Sequence, residues 1–269
     1  MSGFSAEWLA LRESYDLRAR NPIVLDAVAA SFASLDAING IDLACGSGST
    51  VRALSSRLPS RQHWDLVDND QRLLTLACSG KSAGDVRLNA VPLDLSGNFE
   101  IVLDRTKNVI TISALLDLVS ENWLDRFARH VASLALPVYA ALTYDGRIDL
   151  SPADPLDATI ASAVNAHQHT DKGFGPALGP SAAAAAISMF EALGYSVVRG
   201  SSDWLIGTAD QEIQLELLAG WATAASEVEA LRRCDIDNWL ARRKDGVNAC
   251  ASTMRVGHVD FFATPIAIR

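Results

Sequence analysis

Ile41-Asp42-Leu43-Ala44-Cys45-Gly46-Ser47-Gly48-Ser49-Thr50 runs straight into Val51-Arg52-Ala53-Leu54. A short apolar run carrying an acid ends in a turn of small residues, and a helix is predicted from about Ser49 or Thr50. Gly46 and Gly48 remove the Cβ atoms that would hold a ligand off the backbone. The first helical turn presents free N–H groups above the bend. This is a cofactor cradle of the strand–turn–helix kind, and its details discriminate among cofactors. A dinucleotide fingerprint needs a third glycine where Val51 stands, and a P-loop needs a lysine that is absent.

Further acids follow at strand ends. The run from His63 to Asp68 reads as a second strand ending in a carboxylate, 20 residues beyond Gly48. That interval suits a strand-two acid that accepts hydrogen bonds from ribose hydroxyls. The alternative is a helix cap, a role open also to Asn69 or Asp70. Residues 85–90 read as strand three, followed by Asp94 and Leu95. Residues 108–113 form a near-continuous apolar run suited to the middle of a parallel sheet, ending at Ser113 with Asp117 beyond it.

Asp42-Leu43-Ala44-Cys45-Gly46-Ser47-Gly48 resembles the first motif of class I S-adenosylmethionine-dependent methyltransferases, with Ala44 where that family usually has glycine. The stretch from Asp68 to Leu74 resembles the second. The resemblance spans roughly residues 36–145. It implies a Rossmann-like, doubly wound α/β fold: a seven-stranded, mostly parallel sheet with helices on both faces and an antiparallel last strand. It further implies S-adenosyl-L-methionine as cofactor, S-adenosyl-L-homocysteine as product, and a cofactor site of Asp42, Ala44, Cys45, Gly46, Gly48, Asp68, Asn69, Asp94, Leu95 and Ser113. In it Asp68 would hold the ribose, and Asp94 with the neighbouring backbone N–H the adenine edge. An Asn/Asp-Pro-Pro-aromatic tetrapeptide, usual where the acceptor is an exocyclic base nitrogen, is missing after strand four.

Composition narrows the partners. The 269 residues carry a net charge of −9, which disfavours a phosphate backbone as partner, so nucleic acid is not expected. Cys45, Cys78, Cys234 and Cys250 show no metal-ligand spacing, and no metal is expected. No run reaches the ~18 apolar residues of a membrane span, and residues 1–4 open no secretory signal. The expectation is a soluble cytoplasmic protein, monomer or homodimer, acting on a small-molecule acceptor.

One domain over residues 1–269 is expected, comprising cap helices (1–35), a cofactor half (36–145), a lid loop (146–180) and a substrate-side half (181–269). Residues 6–18 read as a helix with Trp8, Leu9, Leu11 and Leu17 as its apolar stripe. Arg12, Asp16 and Arg20 read as solvated charges, or alternatively as groups reaching the site. A helix restarts at Asn21-Pro22. Helices are predicted over 121–135, 157–166, 181–193 (capped by Ser181), 211–227 and 230–243, with strands over 136–144, 195–206 and 253–264. The connection 146–180 exceeds the usual ~2–6 residues and leaves the edge of the sheet where open α/β folds bind ligands. It supplies His167, Asp171 and Lys172 as acid–base or substrate-gripping candidates, with His167 the first choice of base. Arg12, Asp117 and Tyr144 complete the substrate side. The implied chemistry is in-line methyl transfer to oxygen or nitrogen; the alternatives are a non-catalytic adenosyl-cofactor-binding protein and an NAD(P)-dependent oxidoreductase.

Overall fold

A computed structural model describes residues 5–79, 85–229 and 231–266. The expectations for residues 1–4, and for a helix start at Ala230, lie outside them. Two helices precede the sheet: α1 (Ala6–Ala19), capped by Ser5, and α2 (Pro22–Phe32). Asn21 Oδ1 caps α2 by accepting from the amides of Ile23 and Val24 at 3.0 and 3.2 Å. Next come β1 (Ala37–Leu43), α3 (Ser49–Leu54), β2 (Arg61–Asp68), α4 (Gln71–Ser79), β3 (Asp85–Pro92), β4 (Val109–Ser113) and α5 (Glu121–Leu134). The second half holds β5 (Val138–Ser151), α6 (Asp157–Gln168), α7 (Ala182–Ala192), β6 (Tyr195–Ser201), β7 (Trp204–Ile206), α8 (Gln211–Glu227), α9 (Arg233–Asn248) and β8 (Thr253–Pro265).

The sheet runs β3-β2-β1-β4-β5-β8-β6, with β7 also paired to β8. β1 to β5 are mutually parallel, and β8 is antiparallel to β5, β6 and β7. The chain winds outward from β1 in one direction and then from β4 in the other. The ends of β1 and β4 therefore frame the crevice where open α/β sheets take ligands.

Side-chain alternation sends the two faces of the sheet into separate cores. Phe261 packs with Phe99, Trp123, Phe127 and Phe190 on one face, and Phe262 with Val28, Phe32, Trp64 and Tyr139 on the other. A third cluster joins α6, α8 and α9 to the outer ends of β5, β7 and β8 through Ile160, Ile213, Trp221, Trp239 and Val256. Among the described residues no helix is long and apolar enough to cross a membrane.

Four expectations change. The sheet has eight strands, because the run 195–206 breaks at Ser202, whose amide bonds the His258 carbonyl, and Asp203, which pairs with Arg147 and Arg255. The segment 146–180 is not all loop. β5 bulges after Ala140 and Tyr144, then resumes pairing with β8 from Ile148↔Val256 to Ser151↔Thr253. Ser181 does not cap α7: its hydroxyl donates to the Leu178 carbonyl at 2.7 Å, and the helix grows out of a 3₁₀ turn.

The largest change concerns α1. Its buried residues are Arg12 and Asp16, whereas Leu17 is 58% exposed. Arg12 Nε donates to Asp16 at 2.9 Å, and Trp204 Nε1 donates to the same carboxylate at 3.0 Å. Arg20, also buried, donates to the Tyr139 hydroxyl at 3.1 Å and to Thr50 at 3.3 Å. The reading of these three residues as solvated charges is therefore wrong. They form a polar seam by which α1 lies across the strand ends.

Candidate functional site

The glycine turn sits at the switch point. Cys45 N–H bonds the Val67 carbonyl at 3.0 Å, stitching the turn to the end of β2. Gly46 and Gly48 have φ of +53° and +81°, and Ala44 shares the left-handed region at +53°. That conformation explains why a glycine suits the Ala44 position, since a Cβ there costs about 1–2 kcal/mol.

Asp68, half-buried at the tip of β2, accepts from Gly46 N–H at 2.9 Å through Oδ2 and from Asp70 N–H at 2.9 Å through Oδ1. The cap of α4 is Asp70, which accepts from the amides of Arg72 and Leu73, and Asn69 stands exposed. Asp68 thus abuts the glycine turn and keeps lone pairs for further donors.

Asp42 lies fully buried under the bend. Thr111 Oγ1 donates to its Oδ1 at 2.6 Å, and Oδ2 has no partner. Burial pushes its carboxyl up to about 7, with Asp68 adding to the rise and Thr111, Arg20 and Arg52 opposing it. The Cys45 thiol, pushed up by burial and by the same two carboxylates, is a packing group rather than a nucleophile.

β3 brings its acid alongside. Leu93 N–H bonds the Asp68 carbonyl at 3.0 Å, and exposed Asp94 accepts from Ser96 N–H at 2.9 Å. Leu95 is buried, its carbonyl taking the Trp123 indole N–H at 2.7 Å. α1 covers the turn. A Cβ on Gly46 would lie 3.3 Å from Leu9 Cδ1, and Glu13 pairs at 2.6 Å with Arg52, which also grips the Ser47 carbonyl.

A second group of polar residues gathers beyond β4 and β5. Ser113 ends β4, half-buried, and Asp117 is buried in the turn after it with Oδ1 unpartnered. Burial pushes the Asp117 carboxyl up to about 6, against the lowering pull of its own amide, Arg12, the Tyr144 amide and Lys172. Tyr144 donates to Asn165 at 2.7 Å, and burial raises its phenol. The charges of Arg12 and Lys172, drawn from separate parts of the sequence, both act on Asp117, whose turn packs against β5, the strand that carries Tyr144.

His167 and Asp171 do not join them directly. His167 Nε2 lies 2.7 Å from Glu227 on α8, and its Nδ1 meets Lys172 Nζ at 3.2 Å. Asp171 Oδ1 accepts from the amides of Gly173 and Gly175 at 2.6 and 3.0 Å, so it shapes its own loop. Lys172 is lowered by burial, and the charges of Glu227 and Asp117 both oppose that fall.

Sequence reasoning missed His258 and Trp204. His258 is buried on β8 opposite Tyr144, its ring 5.1 Å from that of Trp204 and 6.1 Å from that of Tyr144. Burial and Arg12 push its imidazole down to about 4. A single histidine in an apolar strand carries no local signal. The Arg12, Asp16, Arg20 spacing did carry one. Among the described residues no group of three or more His, Cys, Asp or Glu is placed to hold a metal ion.

No family model and no curated protein sequence matches the chain. Solved structures do. A cyclopropane-fatty-acyl-phospholipid synthase-like protein from Lactobacillus casei aligns over 97% of this chain and 94% of its own, at 13% identity and a TM-score of 0.53. The YcgJ protein of Bacillus subtilis aligns over 91% and 99%, at 11% identity and a TM-score of 0.50. A methyltransferase from Geobacter sulfurreducens, solved with S-adenosyl-L-homocysteine, aligns over 99% and 100% at 15% identity and a TM-score of 0.44. The strand order, the glycine turn at the switch point and the first two likenesses together show the fold, a Rossmann-like, doubly wound α/β sheet that is mostly parallel with antiparallel strands at one end.

Proposed function

We propose that the protein transfers a methyl group from S-adenosylmethionine to an oxygen or nitrogen of a small-molecule acceptor. The observation that carries this reading is the junction of Asp68 with the glycine turn, where the carboxylate accepts from Gly46 N–H at 2.9 Å in a turn whose residues 46 and 48 carry no Cβ. The residues fit the cofactor. Asp68 retains acceptor capacity for ribose hydroxyls, Asp94 is exposed at the neighbouring strand end, and Ser113 ends β4 just before the turn of Asp117. Gly46 and Gly48 let a ligand approach the main chain, and the unpartnered Asp42 oxygen biases the bend toward cationic charge.

When bound, S-adenosylmethionine supplies a methyl carbon on a sulfonium sulfur, open to attack in line with the bond to sulfur. The chain's own part is alignment and exclusion of water. α1, lying over the turn with Leu9 and Glu13, closes the crevice from above. The buried polar group beyond β5 sits on the acceptor side.

The test is release of S-adenosylhomocysteine from S-adenosylmethionine across a panel of small hydroxylated and amine compounds. Release above the blank with at least one compound is expected. A protein that binds the cofactor yet transfers to none is the non-catalytic binder instead.

A further inference from the structure

Two side-chain atoms on the acceptor side are buried without a hydrogen-bond partner, Asp117 Oδ1 and His258 Nδ1, on residues each 7% exposed. Such atoms cost about 1–3 kcal/mol apiece when left unmet, so a buried pair in one neighbourhood points to a ligand. Arg12, 9% exposed, acts electrostatically on both, and the turn of Asp117 packs against β5 as the strand of His258 does. Among the described residues its guanidinium bonds only through Nε, to Asp16, which leaves the terminal fork unused. The guanidinium carbon lies 5.4 Å from the centre of the Trp204 ring, which also packs against the rings of His258, Trp8 and Tyr15.

Arg12 and Asp117 attract each other yet form no ion pair within 4.0 Å. Arg12 is held by Asp16, itself fixed by the Trp204 indole, and the amides of Asp117 itself and of Tyr144 exert a lowering pull on the Asp117 carboxyl. Buried opposite charges close onto one another when nothing prevents it, because each alone is costly. Here the fork and the carboxylate are kept apart, each with capacity to spare.

We propose that Arg12, Asp117 and His258 hold the acceptor, and that the acceptor is a small hydroxy acid whose carboxylate takes the Arg12 fork and whose hydroxyl donates to Asp117. The planar fork matches a carboxylate through two parallel N–H bonds. Two cations, Arg12 and Lys172, act on Asp117, which favours a neutral hydroxyl there over an ammonium. The rings of Tyr144 and Trp204 pack on that of His258 at 6.1 and 5.1 Å, and His258, uncharged near neutral pH, offers a hydrogen bond without adding charge. Of the two, Asp117 is the stronger base, since burial lifts it while burial and Arg12 depress His258. In turnover the acceptor oxygen takes the methyl carbon, the pair of the broken carbon–sulfur bond stays on sulfur, and the hydroxyl proton passes to Asp117. The identity of the acceptor rests on the methyl-transfer reading; the binding site does not.

Calorimetric titration, with S-adenosylhomocysteine present and absent, tests it. The probes are lactate, salicylate and 4-hydroxybenzoate, which place the hydroxyl at different distances from the carboxylate, with their methyl esters and methyl ethers. At least one acid should bind, with its ester and its ether each at least about 10-fold weaker, as expected for a lost charge-assisted hydrogen bond. Arg12→Met should erase the acid-over-ester preference, Arg12→Lys should restore part of it, and Asp117→Asn should erase the hydroxyl-over-ether preference. S-adenosylhomocysteine should bind all three variants within threefold of the parent, which also reports that they fold. Binding of none of the three acids, equal binding of acid and ester, or tighter binding of benzylamine overturns the proposal. So does an Arg12→Met variant that loses S-adenosylhomocysteine, which would give the fork to the cofactor's own carboxylate. A protein that binds the hydroxy acid but no S-adenosylhomocysteine defeats the methyl-transfer reading and leaves this site standing.

Discussion

Valine in place of Gly46 is expected to weaken S-adenosylhomocysteine binding at least about 100-fold, a loss of about 2.7 kcal/mol. Gly46 has φ of +53°, where a β-branched residue is strained by about 1–3 kcal/mol. Its Cβ would also lie 3.3 Å from Leu9 Cδ1, in the gap between the turn and α1. A branched side chain would occupy the space a ligand needs to reach the backbone. Alanine is the control: Ala44, two residues earlier, already adopts the same φ, so Gly46→Ala should fold and lose less affinity. Calorimetry with a thermal melt on each variant separates the two effects. A valine variant that melts normally and binds like the parent would remove the glycine turn from the site.

Asp42→Asn is expected to change how stability depends on pH, and by a large margin. The Asp42 carboxyl is raised from 3.8 to about 7, so between those values the folded chain keeps a proton that the unfolded chain has released. Its stabilising contribution is therefore complete below about pH 4 and is lost as pH rises through about 7. A rise of about three units at 1.36 kcal/mol each gives about 4 kcal/mol. Asparagine keeps an oxygen for the Thr111 hydroxyl and carries no charge to strand. Asp117 and Asp260, also raised by burial, work in the same direction as Asp42, and His258, lowered to about 4, works against them. Comparing the variant with the parent cancels all three. Urea denaturation at pH 4.5, 6 and 8 should show the variant gaining on the parent by several kcal/mol toward the alkaline end. Parallel stability curves would mean that Asp42 is not buried as a charge.

The parts legible in the sequence were those whose causes are local. The β1 bend announces itself in its glycines and acid, α2 in Asn21-Pro22, and β4 in a near-continuous apolar run suited to the middle of a parallel sheet. Asp68 was placed by an interval that the β–α repeat itself sets, and the structure puts it against Gly46. What escaped depends on distant partners. α1 buries a polar face because Trp204, 188 residues further on, donates to Asp16, and no window of sequence contains both residues. β5 resumes at Ile148, beyond the bulge that holds Gly146, because β8 is there to pair with it, so a stretch with turn-like composition becomes strand. Asp171 was selected for its place in a long connection, yet its carboxylate serves the adjoining amides, the ordinary use of an aspartate in a turn. His258 had no neighbour in sequence to mark it, and only the antiparallel pairing with Tyr144 brings it to the cluster.

One titration reaches the centre of this account: S-adenosylhomocysteine against the parent protein and against Asp68→Ala. The account predicts saturable binding to the parent at a single site. It also predicts binding to the variant weaker by about 10- to 100-fold, the effect of removing hydrogen bonds to a charged acceptor. No binding to the parent at millimolar ligand, or equal affinity in the two proteins, would contradict it.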